Sequence, residues 1–393
     1  MLNVILLGLT SLLTDFSGEM LMPLLPFFIQ SLGASGLAMG FIFGLGDAIA
    51  SILKVISGYW ADKLKRYKQF VFWGYSFSAL AKLLYPFAAS WQHVALIRPF
   101  ERMGKGFRDA PRDAIVSESL NHEERGRGFG LQRAMDSVGA IIGSVFVLVL
   151  FVFSDVSITT IFYIAAGIGI LAVIPIFFVK VPEGLSQRSM LPGTGKFSKE
   201  LKKFIFIGTV FALANFSVAF FILQAQGSFF NLTEKQTLGL VLAVYIFFNI
   251  FDAAFSEPAG ALSDRIGRKK VILIGYSLFS LVSLGFLLVS LFARTNTASF
   301  FILLGLFALY GLFKAAVDAS QRALISDLSD TNVRATALGA FETLTGLAAI
   351  PAGLIAGTLW DVQPAYTFGY GFFLALLAIV FLITSKSLKE AKK

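Results

Sequence analysis

The sequence contains no cysteine and only two histidines. Without a thiol, disulfides, thiolate metal sites and cysteine nucleophiles are excluded, and the redox compartment is unreadable. His93 and His122 lack metal-ligand spacing, so neither a metal nor another cofactor is expected. No Gly-x-x-x-x-Gly-Lys-Ser/Thr loop is present, and Gly104-Lys105-Gly106 is too short to serve as one. ATP is therefore not the expected energy source, and nothing points to an enzyme. Charge is also scarce. Asp, Glu, Lys and Arg make up 15% of 393 residues, against roughly 25% in a soluble domain.

What is present is apolar. Hydrophobic residues account for 56% of the chain, with 43 Phe and 36 Gly, and the mean hydropathy is +0.77. Disorder needs low hydrophobicity. An outer-membrane barrel needs alternating strands of about 10 residues, whereas the apolar runs here are longer and unbroken. Abundant glycine suits packed membrane helices. A spanning helix takes about 20 apolar residues, and with its loop about 33, so the chain has room for about 12 spans. The expected fold is all-α and integral to a lipid bilayer. Helices are predicted near 3–32, 37–60, 69–89, 91–118, 126–153 and 157–180, then 203–228, 238–262, 270–293, 298–327, 334–359 and 365–385. Residues 1–31 lack a basic leader and carry Asp15 and Glu19, so they read as a first span and not as a cleaved signal. A stretch at 182–202, with Pro182, Gly184, Pro192, Gly193 and Gly195, separates an N-terminal half (1–181) from a C-terminal half (203–393).

The net charge of +9 resides largely in alternate loops, so it points to membrane orientation and not to nucleic acid. Lys63, Lys65, Arg66 and Lys68 follow predicted helix 2, and Arg125 and Arg127 follow helix 4. Arg188, Lys196, Lys199, Lys202 and Lys203 follow helix 6; Arg265, Arg268, Lys269 and Lys270 follow helix 8; Arg334 follows helix 10. The tail adds Lys386, Lys389, Lys392 and Lys393, while the opposite loops hold only His93, Lys235 and Arg294. The positive-inside rule then places both termini on the cytoplasmic side of an inner (plasma) membrane, which agrees with an even number of spans.

The two halves repeat. Gly58, Asp62 and Lys63 recur as Gly260, Asp264 and Arg265, 202 residues later. Lys105, Asp109 and Ser117 recur as Lys314, Asp318 and Ser326, and Phe16-Ser17 as Phe216-Ser217. These residues resemble the major facilitator superfamily, with its Gly-x-x-x-Asp-Arg/Lys-x-Gly-Arg-Arg/Lys loop. The second copy is the fuller one, with Gly260, Asp264, Arg265, Gly267, Arg268 and Lys269; in the first, Gly58, Asp62, Lys63 and Arg66 match but Lys65 replaces a glycine. Arg98, Gly104 and Gly106 of predicted helix 4, and Gly139, Ala140, Gly143 and Ser144 of helix 5, loosely resemble the proton-coupled drug antiporters. The resemblance implies twelve transmembrane helices in two homologous six-helix halves, working by alternating access. It also implies that Asp62 and Asp264 with their basic neighbours form a cytoplasmic gate. The fold can function as a monomer, and a monomer is expected.

Charged residues inside spans are costly and rare, which makes each a functional candidate. Asp15 and Glu19 lie one turn apart on one face. Removal from water disfavours the charged form of a carboxyl group, which suits it to carrying protons. In predicted helix 4, Arg98, Glu101, Arg102, Lys105, Arg108, Asp109, Arg112 and Asp113 recur at steps of three and four, forming a stripe that lipid would not accept. Helix 5 adds Arg133 and Asp136; helix 2 adds Asp47 and Lys54. The N-terminal half thus balances seven carboxylates against seven cations, as an internal ion-pair network would. Asp15, Glu19, Arg98, Glu101, Arg102, Arg133 and Asp136 are the expected proton-coupling, central-cavity residues. Arg108, Asp109, Arg112 and Asp113 join Gly58, Asp62, Lys63, Arg66, Gly260, Asp264, Arg265 and Arg268 as gate candidates. The sparser C-terminal half offers Asn215, Gln224, Tyr245, Asn249, Asp252, Lys314, Asp318 and Glu342 for a substrate cavity, while most Phe residues serve core and lipid contact.

The leading expectation is a secondary transporter that exports a small amphipathic or cationic compound against protons. A second is a transporter for an anionic metabolite or a siderophore-like metal chelate, with the basic side chains as counter-charges. A third is a non-transporting receptor or a lipid scramblase. With no native cysteine to interfere, Lys63→Cys is expected to react with a membrane-impermeant maleimide only from the cytoplasmic side, and His93→Cys only from the other; the reverse pattern would invert the orientation.

Overall fold

The computed structural model describes residues 1–121, 124–154, 156–187, 197–292, 296–330 and 333–385. Several loop and tail positions invoked above, namely His122, Arg188, Lys196, Arg294, Lys386, Lys389, Lys392 and Lys393, lie outside the described residues, as does the middle of the predicted linker.

The elements are helical. They run α1 (Leu2–Leu21), α2 (Leu25–Ser31), α3 (Gly36–Leu64), α4 (Tyr67–Leu84), α5 (Trp91–Glu118), α6 (Arg125–Phe153), α7 (Ile158–Leu171) and the short α8 (Gly184–Gln187). They continue as α9 (Lys199–Ala214), α10 (Val218–Gly227), α11 (Glu234–Ile266), α12 (Arg268–Leu291), α13 (Asn296–Asp327), α14 (Arg334–Val362) and α15 (Pro364–Thr384). Two breaks turn these into twelve spans: α1 with α2, and α9 with α10, each follow one predicted helix. Among the described residues, ten of the spans are long and apolar enough to cross a bilayer, α7 doing so with the 3-10 turn Ile174–Phe178 that follows it; α4 and α5 are the two that composition alone does not qualify. Large apolar side chains such as Phe153, Leu96, Phe373 and Phe301 are exposed, as lipid-facing positions require.

The first break, at 22–24, places Pro23 in the turn and Pro26 at the start of α2, where a missing N–H costs nothing. The second contains no proline. Asn215 ends α9 with φ −87° and ψ 69°, and the Ser217 hydroxyl caps α10 by accepting from the Ala219 N–H at 3.2 Å. Side chains that bond the nearby backbone compete with helix continuation, which is why one predicted helix becomes two.

Two compact units are present: Met1–Ala34 with Leu45–Met190, and Ser35–Gly44 with Leu191–Lys393. In the first, α5 carries the charged stripe and is packed closely on two sides. A Cβ on Gly104 would lie 2.7 Å from the Ser78 N of α4, and one on Gly106 would lie 2.6 Å from the Ala50 carbonyl of α3. Only hydrogen fits at either point, so α5 sits where its charges meet partners and not lipid. The second unit has an aromatic core. The Phe221 ring meets Phe216, Phe279, Phe286, Tyr310 and Phe368 at centroid distances of 4.9–6.3 Å, and Phe211 stacks on Tyr276 at 3.7 Å. In that unit the first turn of α3 is capped by Asp361 of α14, which accepts from the Gly36 N–H at 2.5 Å and the Leu37 N–H at 2.9 Å, a charge favoured at a helix N-terminus.

The repeated loop motif differs between its copies in one backbone position. Gly267 joins α11 to α12 at φ +105°, ψ 143°, a conformation open essentially to glycine. Lys65, 202 residues earlier, holds φ +56° with a side chain. Gly267→Ala is therefore expected to destabilise the protein by about 1–2 kcal/mol, and Lys65→Gly to be neutral or mildly stabilising. Thermal unfolding in detergent checks both; an unchanged midpoint for Gly267→Ala refutes the argument.

Candidate functional site

The first unit holds a cavity of about 100 Å³ between α1, α4 and α5. α1 contributes Thr14, Asp15 and Glu19; α4 contributes Ser78 and Lys82; α5 contributes Arg98, Glu101, Arg102, Lys105 and Arg108. Helical spacing explains the gathering, since residues three and four apart share a face.

Glu101 is the centre of a buried knot. Its carboxylate accepts from Arg98 at 2.8 Å and from the Tyr85 hydroxyl at 2.6 Å. Its backbone carbonyl accepts from the Ser78 hydroxyl at 2.9 Å, and Ser78 accepts in turn from Arg108 at 2.7 Å. Arg108 also lies over the Tyr75 ring, 4.4 Å from its centroid. Arg98, Glu101 and Arg108 are buried, at 7%, 8% and 6% exposure. On the other side, Lys82, 2% exposed, donates to Ser17 at 2.8 Å and to the Thr14 carbonyl at 3.4 Å. Ser17 passes the chain on to the Ala165 carbonyl of α7. Lower on α5, Arg112 bonds Asp113 at 2.9 Å and the Ser11 hydroxyl at 2.9 Å, and Ser11 meets Tyr75.

Lys82 is the residue the sequence reading misses. Seven carboxylates balance seven cations there; Lys82, buried, is an eighth cation and upsets that balance. It sits in the last turn of an apolar helix, where a lysine ordinarily snorkels or meets the helix dipole, so its inward course has no sequence signal. Ser78, Tyr85 and Ser17 are missed too, because a hydroxyl in a span carries no charge signal.

The expected central set is brought together in part. Asp15, Glu19, Arg98, Glu101 and Arg102 line the cavity. Asp136 of α6 receives a bond from Gln132 at 3.3 Å and lies within electrostatic reach of Asp15. Arg133 is exposed on α6, outside this lining. Arg102 pairs with Asp47 at 2.6 Å.

The gate candidates are paired locally. Tyr67 donates to Asp62, and Arg268 meets Asp264, Asp327 at 3.4 Å and the Ser263 hydroxyl at 2.6 Å. Lys63 lies over Tyr59, Arg66 and Arg265 are exposed, and Asp109 stands 3.9 Å from Arg108. Gly58 packs near Ala110, whereas Gly260 has open space.

The substrate candidates of the second unit are dispersed. Asp252 pairs with Lys314 at 3.7 Å, and Lys314 also lies over the Phe248 ring. Glu342 pairs with Arg322 at 3.2 Å. Gln224 is bonded to Ser228, Tyr245 is buried against Phe248, Asn249 is buried, Asn215 is exposed at the break, and Asp318 is exposed. Among the described residues no group of three His, Asp or Glu is placed to hold a metal ion.

The chain matches the family model described as Major Facilitator Superfamily over residues 7–241 and 205–393. It is 45% identical over 383 residues to an uncharacterized MFS-type transporter of Methanocaldococcus jannaschii, covering 97% of this chain and 94% of that one. It is 23% identical to multidrug resistance protein 2 of Bacillus subtilis, covering 96% and 94%. Among solved structures, the nucleoside transporter NupG superimposes with a TM-score of 0.77 at 15% identity, covering all of both chains.

Removing one partner of a buried pair leaves an uncompensated charge. Glu101→Gln is expected to cost about 3–5 kcal/mol, and the double replacement Arg98→Met with Glu101→Leu to recover most of it. Unfolding midpoints of the three variants check this; a neutral Glu101→Gln removes Glu101 as the anchor.

Proposed function

This chain belongs to the Major Facilitator Superfamily, a multi-pass membrane transporter and not an enzyme, and we propose that it moves a small organic molecule by proton-coupled alternating access. One observation carries the coupling: Asp15 and Glu19 line a cavity within the membrane-spanning part of the chain, alongside Lys82, Arg98, Arg102, Lys105 and Arg108. A carboxyl group there changes its interactions with Lys105 and Arg108 whenever it gains or loses a proton. A transporter needs that link between proton occupancy and side-chain arrangement, because a ligand shifts a conformational equilibrium only through differential affinity for its states.

Export of amphipathic compounds is the direction we favour, supported by the multidrug-resistance name of the Bacillus subtilis relative. The loops rich in Lys and Arg, and with them both termini, are assigned to the cytoplasmic side of the plasma membrane. The motif residues Asp62 and Asp264 are assigned to gating from that side. The transporting unit is taken as a monomer.

The test is proton flux in proteoliposomes under an imposed pH gradient, with lipophilic cations and organic anions added one at a time. A responsive compound is expected, with its proton flux reduced at least tenfold in Asp15→Asn or Glu19→Gln. Undiminished flux in both variants refutes the coupling assignment. Lipid movement without any ion gradient would favour a scramblase instead.

A further inference from the structure

The charge of the transported molecule can be read from the same cavity, and this step rests on the transport reading above. Five cations face it, Lys82, Arg98, Arg102, Lys105 and Arg108, against the three carboxyl groups Asp15, Glu19 and Glu101. Two further carboxylates reach the cations from outside the lining, Asp47 on Arg102 and Asp109 on Arg108. The cavity is therefore no bare positive field. What it leaves unmet is a set of hydrogen-bond donors.

Three buried donors of lining residues have no hydrogen-bond partner: Nε of Arg102, the hydroxyl of Thr14, and Nε of Arg108, which has only the Asp109 carboxylate at 3.9 Å, beyond hydrogen-bond distance. Arg108 and Thr14 are each 6% exposed, so water does not readily relieve them. A buried donor without an acceptor costs roughly 1–3 kcal/mol, and guanidinium groups favour oxyanions with charge-assisted, often bidentate bonds. A cation entering would meet five like charges against three carboxyl groups and would satisfy none of these donors. At about 100 Å³, the space falls well below the roughly 300–1,000 Å³ of pockets that enclose a whole drug-sized ligand. It has room for a head group. Lys105 is exposed, which leaves the site open to an arriving ligand.

We propose that this cavity binds the anionic oxygen group, carboxylate or phosphate, of an amphipathic solute. Arg102, Arg108 and Thr14 donate to its oxygens, and Lys105 meets it first as a point charge. The apolar remainder of the solute extends beyond the cavity.

Equilibrium binding of phenyl phosphate, benzoate and benzylamine to the protein in phosphatidylcholine nanodiscs, at one pH and without a gradient, tests this. Phenyl phosphate or benzoate is expected to bind saturably, and benzylamine at least tenfold more weakly. Lys105→Gln, at an exposed position, and Arg102→Gln are each expected to weaken anion binding at least tenfold while the unfolding midpoint stays near that of the parent. Equal binding of benzylamine, no binding of either anion, or anion binding indifferent to both substitutions overturns the proposal. Loss of phenyl phosphate binding when phosphatidylglycerol is added assigns the cavity to a lipid head group and overturns the solute reading. Because no gradient is used, intact anion binding alongside absent proton flux removes the coupling assignment alone. Lost binding alongside intact flux removes this one alone.

Discussion

A charge withdrawn from water must find a partner, and the first unit is arranged around that requirement. Glu101 accepts from Arg98 and Tyr85 through its carboxylate and from Ser78 through its backbone carbonyl. Ser78 then holds Arg108. α4 and α5 are thereby tied at several points by bonds of high cost to break. The glycine contact between Gly104 and the Ser78 backbone brings the helices close enough for those bonds to form. Packing and electrostatics depend on each other here: without the small residue the donors do not reach, and without the bonds the charges do not stay buried.

The two units handle their interiors differently. The first is polar at its centre, with hydroxyls relaying between cations and backbone carbonyls, as in Lys82 to Ser17 to Ala165. The second is filled by interlocking Phe and Tyr rings around Phe221 and Phe211. Aromatic pairs prefer stacked or edge-to-face geometries but do not titrate, whereas a core of hydrogen-bonded charged groups can exchange partners between discrete arrangements when one group gains or loses a proton. A network with discrete arrangements is what ion-linked switching requires, because coupling needs states that differ in contacts. The charged unit is accordingly where we propose both proton and solute recognition.

Much of this was legible from residues alone. Apolar runs and loop charges placed the spans to within a few residues, because hydrocarbon forces every spanning segment to satisfy its own backbone. The stripe in α5 was legible because 3.6-residue spacing maps charge onto a face, and burial of Arg98, Glu101 and Arg108 follows from lipid's refusal of charge. Legibility failed where a partner lies far along the chain. The inward turn of Lys82, the cap that Asp361 places on α3, and the pairing of Arg322 with Glu342 join residues that no local pattern connects. The break at Asn215 carries no proline to mark it, only the short-range bond of the Ser217 hydroxyl to the Ala219 N–H.

Composition and apolar run length determined that the chain is an all-helical membrane protein, since the bilayer acts on every span alike and leaves its mark on each, and recurring motifs pointed to two repeated halves. Which charges face one another was decided only in three dimensions. Helix approach distances, set by single glycines such as Gly104 and Gly106, determine whether a donor meets an acceptor or is left waiting for one. The donors of Arg102, Arg108 and Thr14 that lack a hydrogen-bond partner come from those distances, and one-dimensional spacing carries no record of them.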